Sequence, residues 1–166
     1  MRASAADELG LQVRRAVWEA RPEEAGNILW PVLSGRTPFR LLDRIGKAAG
    51  EAPFSFLLPT LDAIAADRTE GGWVVIGAAL AQHLSTGLAS ALSTCRVFIA
   101  TADVWYAADI LGERVPGPAL LADPQRATAA LASWRQDDNR WVRRAVGVAV
   151  HFWAKRARGN ATLQST

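Results

Sequence analysis

The stretch that decides the fold is Pro53–Leu84, PFSFLLPTLDAIAADRTEGGWVVIGAALAQHL. Its first half places apolar residues at helical spacing, and Pro59 is positioned to kink or restart that helix. Its second half, from Gly72 to Leu84, carries no formal charge and reads as a buried helix. The two halves, Pro53–Asp67 and Gly72–Leu84, therefore form a helix pair. Working outward, the same rhythm recurs. Gly87–Ala100 and Asp103–Leu111 form a second pair. Asp123-Pro124 reads as a cap followed by a first-turn proline, opening a helix that runs to about Trp134. Its partner begins near Asp138 and continues to about Arg158. Toward the N-terminus, a helix covers Ala5–Ala20. Another opens at Pro22 with Glu23 and Glu24 in its first turn, where acids suit the positive helix end. A third spans Phe39–Ala49.

No alternating strand pattern bounded by hairpin turns is present. The pairs recur at roughly 35 to 40 residues, close to the period of HEAT-type repeats. One pair cannot bury its apolar face alone, so the expectation is an all-α, HEAT-like helical repeat solenoid of stacked antiparallel helix pairs. The alternative is a compact helical bundle without repeat curvature. One helical-repeat domain is expected over residues 1–158, followed by a small, polar tail from Gly159 to Thr166.

Composition narrows the function classes. Half of the 166 residues are hydrophobic and 21% are charged, an ordinary balance for a soluble protein. The net charge of +3 permits an anionic partner without requiring one. Cys95 is the only cysteine, which excludes an intrachain disulfide and a cysteine-based zinc site and points to a reducing compartment. No secretory signal pattern opens the chain. Between Glu70 and Arg96 no residue carries a formal charge, long enough for a membrane span. But Gln82, His83, Ser85, Thr86, Ser90, Ser93 and Thr94 fill its second half, so two buried helices are expected instead. With two histidines and no serine elbow, no glycine-rich phosphate loop and no metal-ligand spacing, triad, nucleotide-loop and metal chemistries are disfavoured.

Two segments carry candidate chemistry. In Ala102–Asp109, ADVWYAAD, Trp105 and Asp109 are four apart and share a helix face. An indole beside a carboxylate suits a cationic group, by a cation–π face and by opposite charge. Equally, Trp105 fits a core position and Asp109 a solvent-facing acid. From Arg140 to Arg158 there are six Lys/Arg and no acid. On a helix, Arg140, Arg144, His151, Lys155 and Arg158 fall near one face, and Trp141, Ala145, Val148 and Phe152 near another. Such a basic row fits phosphate tracking or a merely solvated face.

Together these segments resemble the AlkD-like family of DNA alkylation repair glycosylases. The shared features are Trp-x-x-x-Asp on one helix (Trp105, Asp109) and a later Trp-x-x-Arg opening a long helix (Trp141, Arg144), with a family-like spacing from Asp109 to Arg144. The similarity is clearest from about Ala100 to Arg158. It implies a HEAT-like solenoid that excises N3- and N7-alkylated purines from double-stranded DNA in base excision repair, in a shallow cleft, without cofactor or metal. It implies Asp109 as the catalytic carboxylate, Trp105 beside the lesion nucleotide, and Arg144 on a backbone phosphate; the basic helix adds Arg140, Arg143, Lys155 and Arg158 as expected DNA-binding residues. A bacterial cytosolic or nucleoid location, with no membrane association, goes with that role. A non-enzymatic HEAT-like module binding DNA or a protein partner is the alternative. The family has one more aromatic residue, in a helix beyond the arginine helix, and this chain has no counterpart before Thr166. Together with the apolar circumference of the last helix, that gives the expectation of a chain incomplete at its C-terminus, with Val146, Val150 or Trp153 partly uncovered.

Overall fold

The computed structural model describes residues 1–157. Every regular element among them is an α-helix: α1 (Ala3–Trp18), α2 (Pro22–Leu33), α3 (Phe39–Ala49), α4 (Phe54–Ala66), α5 (Glu70–Ala81), α6 (Leu84–Ala102), α7 (Trp105–Arg114), α8 (Pro116–Ala122), α9 (Pro124–Trp134) and α10 (Arg140–Ala157). No helix among the described residues is long and apolar enough to cross a membrane. Contacts gather into two compact units, one covering Met1–His83 and one beginning at Leu84.

In the first unit, α1, α3 and α5 pack side by side as one layer and α2 and α4 form a second. Contacts between alternate helices are the packing of a helical repeat. α5 sits at the centre: every residue from Gly71 to Leu80 is buried, which accounts for a helix apolar on all sides. Thr69 caps it, its hydroxyl accepting from the Gly72 amide at 3.0 Å. Two glycines let α3 lie almost backbone to backbone on α5. A Cβ at Gly46 would stand 2.5 Å from the Val75 carbonyl oxygen, and one at Gly50 2.5 Å from that of Ala79. Pro59 lies inside α4, which continues through it as one helix. On the surface, Arg44 forks onto Asp7 (Nε–Oδ1 2.7 Å, Nη2–Oδ2 2.6 Å), tying α3 to α1.

In the second unit, α10 lies chiefly against α7 and α8, with α6 and α9 along its flanks. α6 is interrupted at Gly87, whose backbone is non-helical, as the sequence led us to expect. Asp123 caps α9 from its side chain with Pro124 in the first turn. α7 starts two residues later than the spacing suggests, because Asp103 adopts φ 48° and Val104 is extended. α8 was not foreseen. Pro116-Gly117-Pro118 reads as a turn, yet Pro116 occupies a first helical turn, where its missing N–H costs nothing. Along α10, Val146 and Trp153 are half-buried and Val150 is 48% exposed, so this face keeps uncovered apolar surface among the described residues. The expected polar tail and Arg158 lie outside the described residues.

Candidate functional site

The loop before α10 is built to fix that helix. Asp137, its side chain nearly buried, accepts from Arg96 of α6 at 2.5 Å and from the Asn139 amide at 2.9 Å. Asn139 caps α10, its side-chain oxygen accepting from the amides of Trp141 (2.8 Å) and Val142 (3.3 Å). The Arg143 guanidinium turns back onto the loop and donates to the carbonyls of Asp137 and Asp138. It thus satisfies backbone acceptors rather than extending the basic row. Arg140 stacks on the Trp141 ring, 4.5 Å from its centroid. Lys155 is exposed in the last turn of α10.

With α10 fixed at its start, two glycines set its distance from α7 and α8. A Cβ at Gly112 would stand 3.0 Å from Val148 Cβ and 3.2 Å from the Ala145 carbonyl oxygen. A Cβ at Gly117 would sit 2.8 Å from the Phe152 ring. The close approach at Gly112 brings Arg144 onto Asp109 in a two-pronged pair (Nε–Oδ1 2.6 Å, Nη2–Oδ2 2.8 Å). Such a fork matches carboxylate geometry and holds both partners in one orientation. The Asp109 hydrogen bonds push the Arg144 pKa above its already high ordinary value, so it is a permanent cation. The pair is accessible, with side-chain exposures of 31% for Asp109 and 48% for Arg144.

One turn before Asp109, Trp105 is 56% exposed, the most open of the large hydrophobic side chains among the described residues. Its ring meets Tyr106 edge to face at 5.9 Å. The Asp109–Arg144 pair borders an open cavity of about 400 Å³, lined also by Glu113, Gly147, Val148 and His151. The fold thus gathers Asp109 and Arg144, with Trp105 a turn away on α7. Glu113 and Gly147 were not singled out from the sequence, and His151 was read only as part of the basic row. Glu113 follows Asp109 by four residues on the same helix, a spacing that could have marked it. No group of His, Cys, Asp and Glu among the described residues has the arrangement of a metal site.

A model of the DNA alkylation repair enzyme family matches residues 68–166, more than half of the chain. The chain belongs to the DNA alkylation repair enzyme family. The matched stretch contains α7, α10 and the cavity between them. No curated protein and no solved structure matches the chain.

Proposed function

We propose that this member of the family is a DNA glycosylase that hydrolyses the N-glycosidic bond of cationic N3- or N7-alkylated purines in duplex DNA. The observation that carries the reading is an accessible carboxylate, Asp109, held in a fixed orientation on an open cavity one turn from an exposed tryptophan.

The chemistry suits so few groups. Glycoside hydrolysis ordinarily needs an acid to protonate the leaving group and a carboxylate for the oxocarbenium-like sugar. An N3- or N7-alkylpurine is already cationic and leaves without being protonated. As the C1′–N bond breaks, its electron pair neutralises the purine, and positive charge develops on the sugar. A carboxylate fixed beside the sugar stabilises that charge. Asp109 takes this role, and Trp105 packs beside the lesion nucleotide. Arg144 is tied to Asp109 in the free protein, and a DNA phosphate competes for its guanidinium. Moving onto the phosphate leaves the Asp109 oxygens facing the sugar. Arg140 and Lys155 continue the phosphate contacts along α10. No metal or cofactor is required.

The pairing of both Asp109 oxygens also supports a second reading, in which the same face binds duplex DNA without cleaving anything. Release of base from methylated duplex separates the two. The glycosylase releases N3-methyladenine or N7-methylguanine, and its Asp109→Asn variant binds duplex but releases nothing. Duplex binding by the wild type with no release leaves the binding module.

A further inference from the structure

The cavity beside the Asp109–Arg144 pair holds two carboxylates, and they stand in different states. Both oxygens of Asp109 are taken by Arg144. Glu113, one turn further along α7, is exposed, and no hydrogen bond or ion pair of the described residues engages it. Its place does nothing for the helix. It lies next to the last residue of α7, where the negative end of the helix dipole disfavours a carboxylate. A residue set against a local rule without a compensating contact marks a position kept for another purpose.

Charge gives that purpose. In the free protein Asp109 and Arg144 cancel, and Glu113 is the carboxylate lining the cavity that no described residue compensates. Gly147 opposite it leaves open space, with no heavy atom within 4 Å of where a Cβ would stand. We propose that Glu113 is a second catalytic carboxylate of this site, and this rests on the glycosylase reading above. It supplies the uncompensated negative charge that draws the cationic lesion, and it accepts the proton of the attacking water. In that step the C1′–N bond breaks with its electron pair going to the purine. The water oxygen bonds to C1′, and its proton passes to the Glu113 carboxylate and on to solvent.

Glu113→Gln keeps shape and removes a charge that the helix end disfavours, so thermal melting should not fall. Release of N7-methylguanine from methylated duplex should fall about 10²-fold. The second readout needs no turnover. Affinity is compared for duplexes carrying a cationic pyrrolidine abasic-site analogue and an uncharged tetrahydrofuran analogue. Wild type should prefer the cation, and Glu113→Gln should lose roughly tenfold of that preference. If wild type releases base and Glu113→Gln releases it equally fast, the inference is overturned and the glycosylase reading stands. If wild type releases none, that reading falls, and the analogue pair decides: a preference for the cation that Glu113→Gln leaves unchanged overturns the assignment of charge to Glu113, and a lost preference upholds it.

Discussion

The two units contain the same helix-docking device, each beside an open cavity, and the side chains around it differ. In the first, Asp7-Glu-Leu-Gly10 on α1 meets Arg44-Ile45-Gly-Lys-Ala48 on α3. In the second, Asp109-Ile-Leu-Gly112 on α7 meets Arg144-Ala145-Val-Gly-Val148 on α10. Both aspartates receive a two-pronged arginine. Both glycines, three residues after the aspartate, admit the residue four after the arginine, to Cβ distances of 3.0 Å from Ala48 and from Val148. The tie itself is therefore a way of joining two helices and is no mark of catalysis. What differs is its surroundings. Ala3 and Leu11 flank Asp7 one turn to either side, where Trp105 and Glu113 flank Asp109. Lys47 stands where the second unit has Gly147, and Glu51, paired with Arg14, stands where it has His151. The first unit surrounds its tie with Ala3, Leu11, Lys47 and the Glu51–Arg14 pair. The second surrounds it with an exposed indole, a carboxylate without a partner among the described residues, Gly147 and His151.

Breaking the docking at each glycine should have the largest effect on stability. Gly112→Ala forces α7 from α10 and should cost about 1–3 kcal/mol, as overpacked contacts do, while also reducing base release. Gly10→Ala should cost a similar amount by thermal melting yet leave release unchanged at temperatures where the protein is folded. Equal loss of activity from both would erase the distinction between the units.

The arginines sharpen the comparison in binding. Arg144→Ala should weaken duplex affinity by roughly tenfold and flatten the dependence of log K on log salt by about one unit. Arg44→Ala should leave that slope as it is, which titrations at several salt concentrations would check.

The glycine facing the cavity offers a smaller, opposite effect. Gly147→Ala meets nothing, so the gain in helix propensity should raise stability by about 0.5–1 kcal/mol. A loss would mean the position is more crowded than its geometry indicates.

The smallest effect is confined to the first unit. Burial holds the His83 imidazole below its ordinary value, against a weaker opposing hydrogen bond with the Gly50 backbone. The folded state thus favours neutral His83. Its stability is fully present above about pH 6.5 and is lost as pH falls through the folded value. His83→Phe should flatten that slope in pH-dependent melting. Asp7, held below the usual carboxylate range by the Arg44 hydrogen bond, should add a loss only below about pH 3.8.

These residues also show what the sequence made legible. Helices driven by apolar spacing were readable, as were those with a side-chain cap such as Asp123. α8 was not, because Pro116-Gly117-Pro118 has turn chemistry and its helix is held by packing against α10. The start of α7 was misplaced by the left-handed Asp103, which no spacing rule anticipates. Trp105, Asp109 and Arg144 stood out through their motif, and the fold brings the last two into contact. The basic row treated its arginines alike, whereas Arg143 is drawn to the carbonyls of its own loop. Glu113 and Gly147 gain their meaning only once Gly112 fixes which face of α7 meets α10.

The central claim is that the same tie serves structure in one unit and chemistry in the other. Asp7→Asn and Asp109→Asn remove equivalent charges from equivalent pairs, so each controls for the other's effect on stability. The decisive measurement is the single-turnover rate of N7-methylguanine release from methylated duplex by these two variants and the wild type. The account predicts an unchanged rate for Asp7→Asn and a loss of about 10²–10³-fold or more for Asp109→Asn, with duplex binding retained in both. Release by Asp109→Asn at the wild-type rate would contradict it.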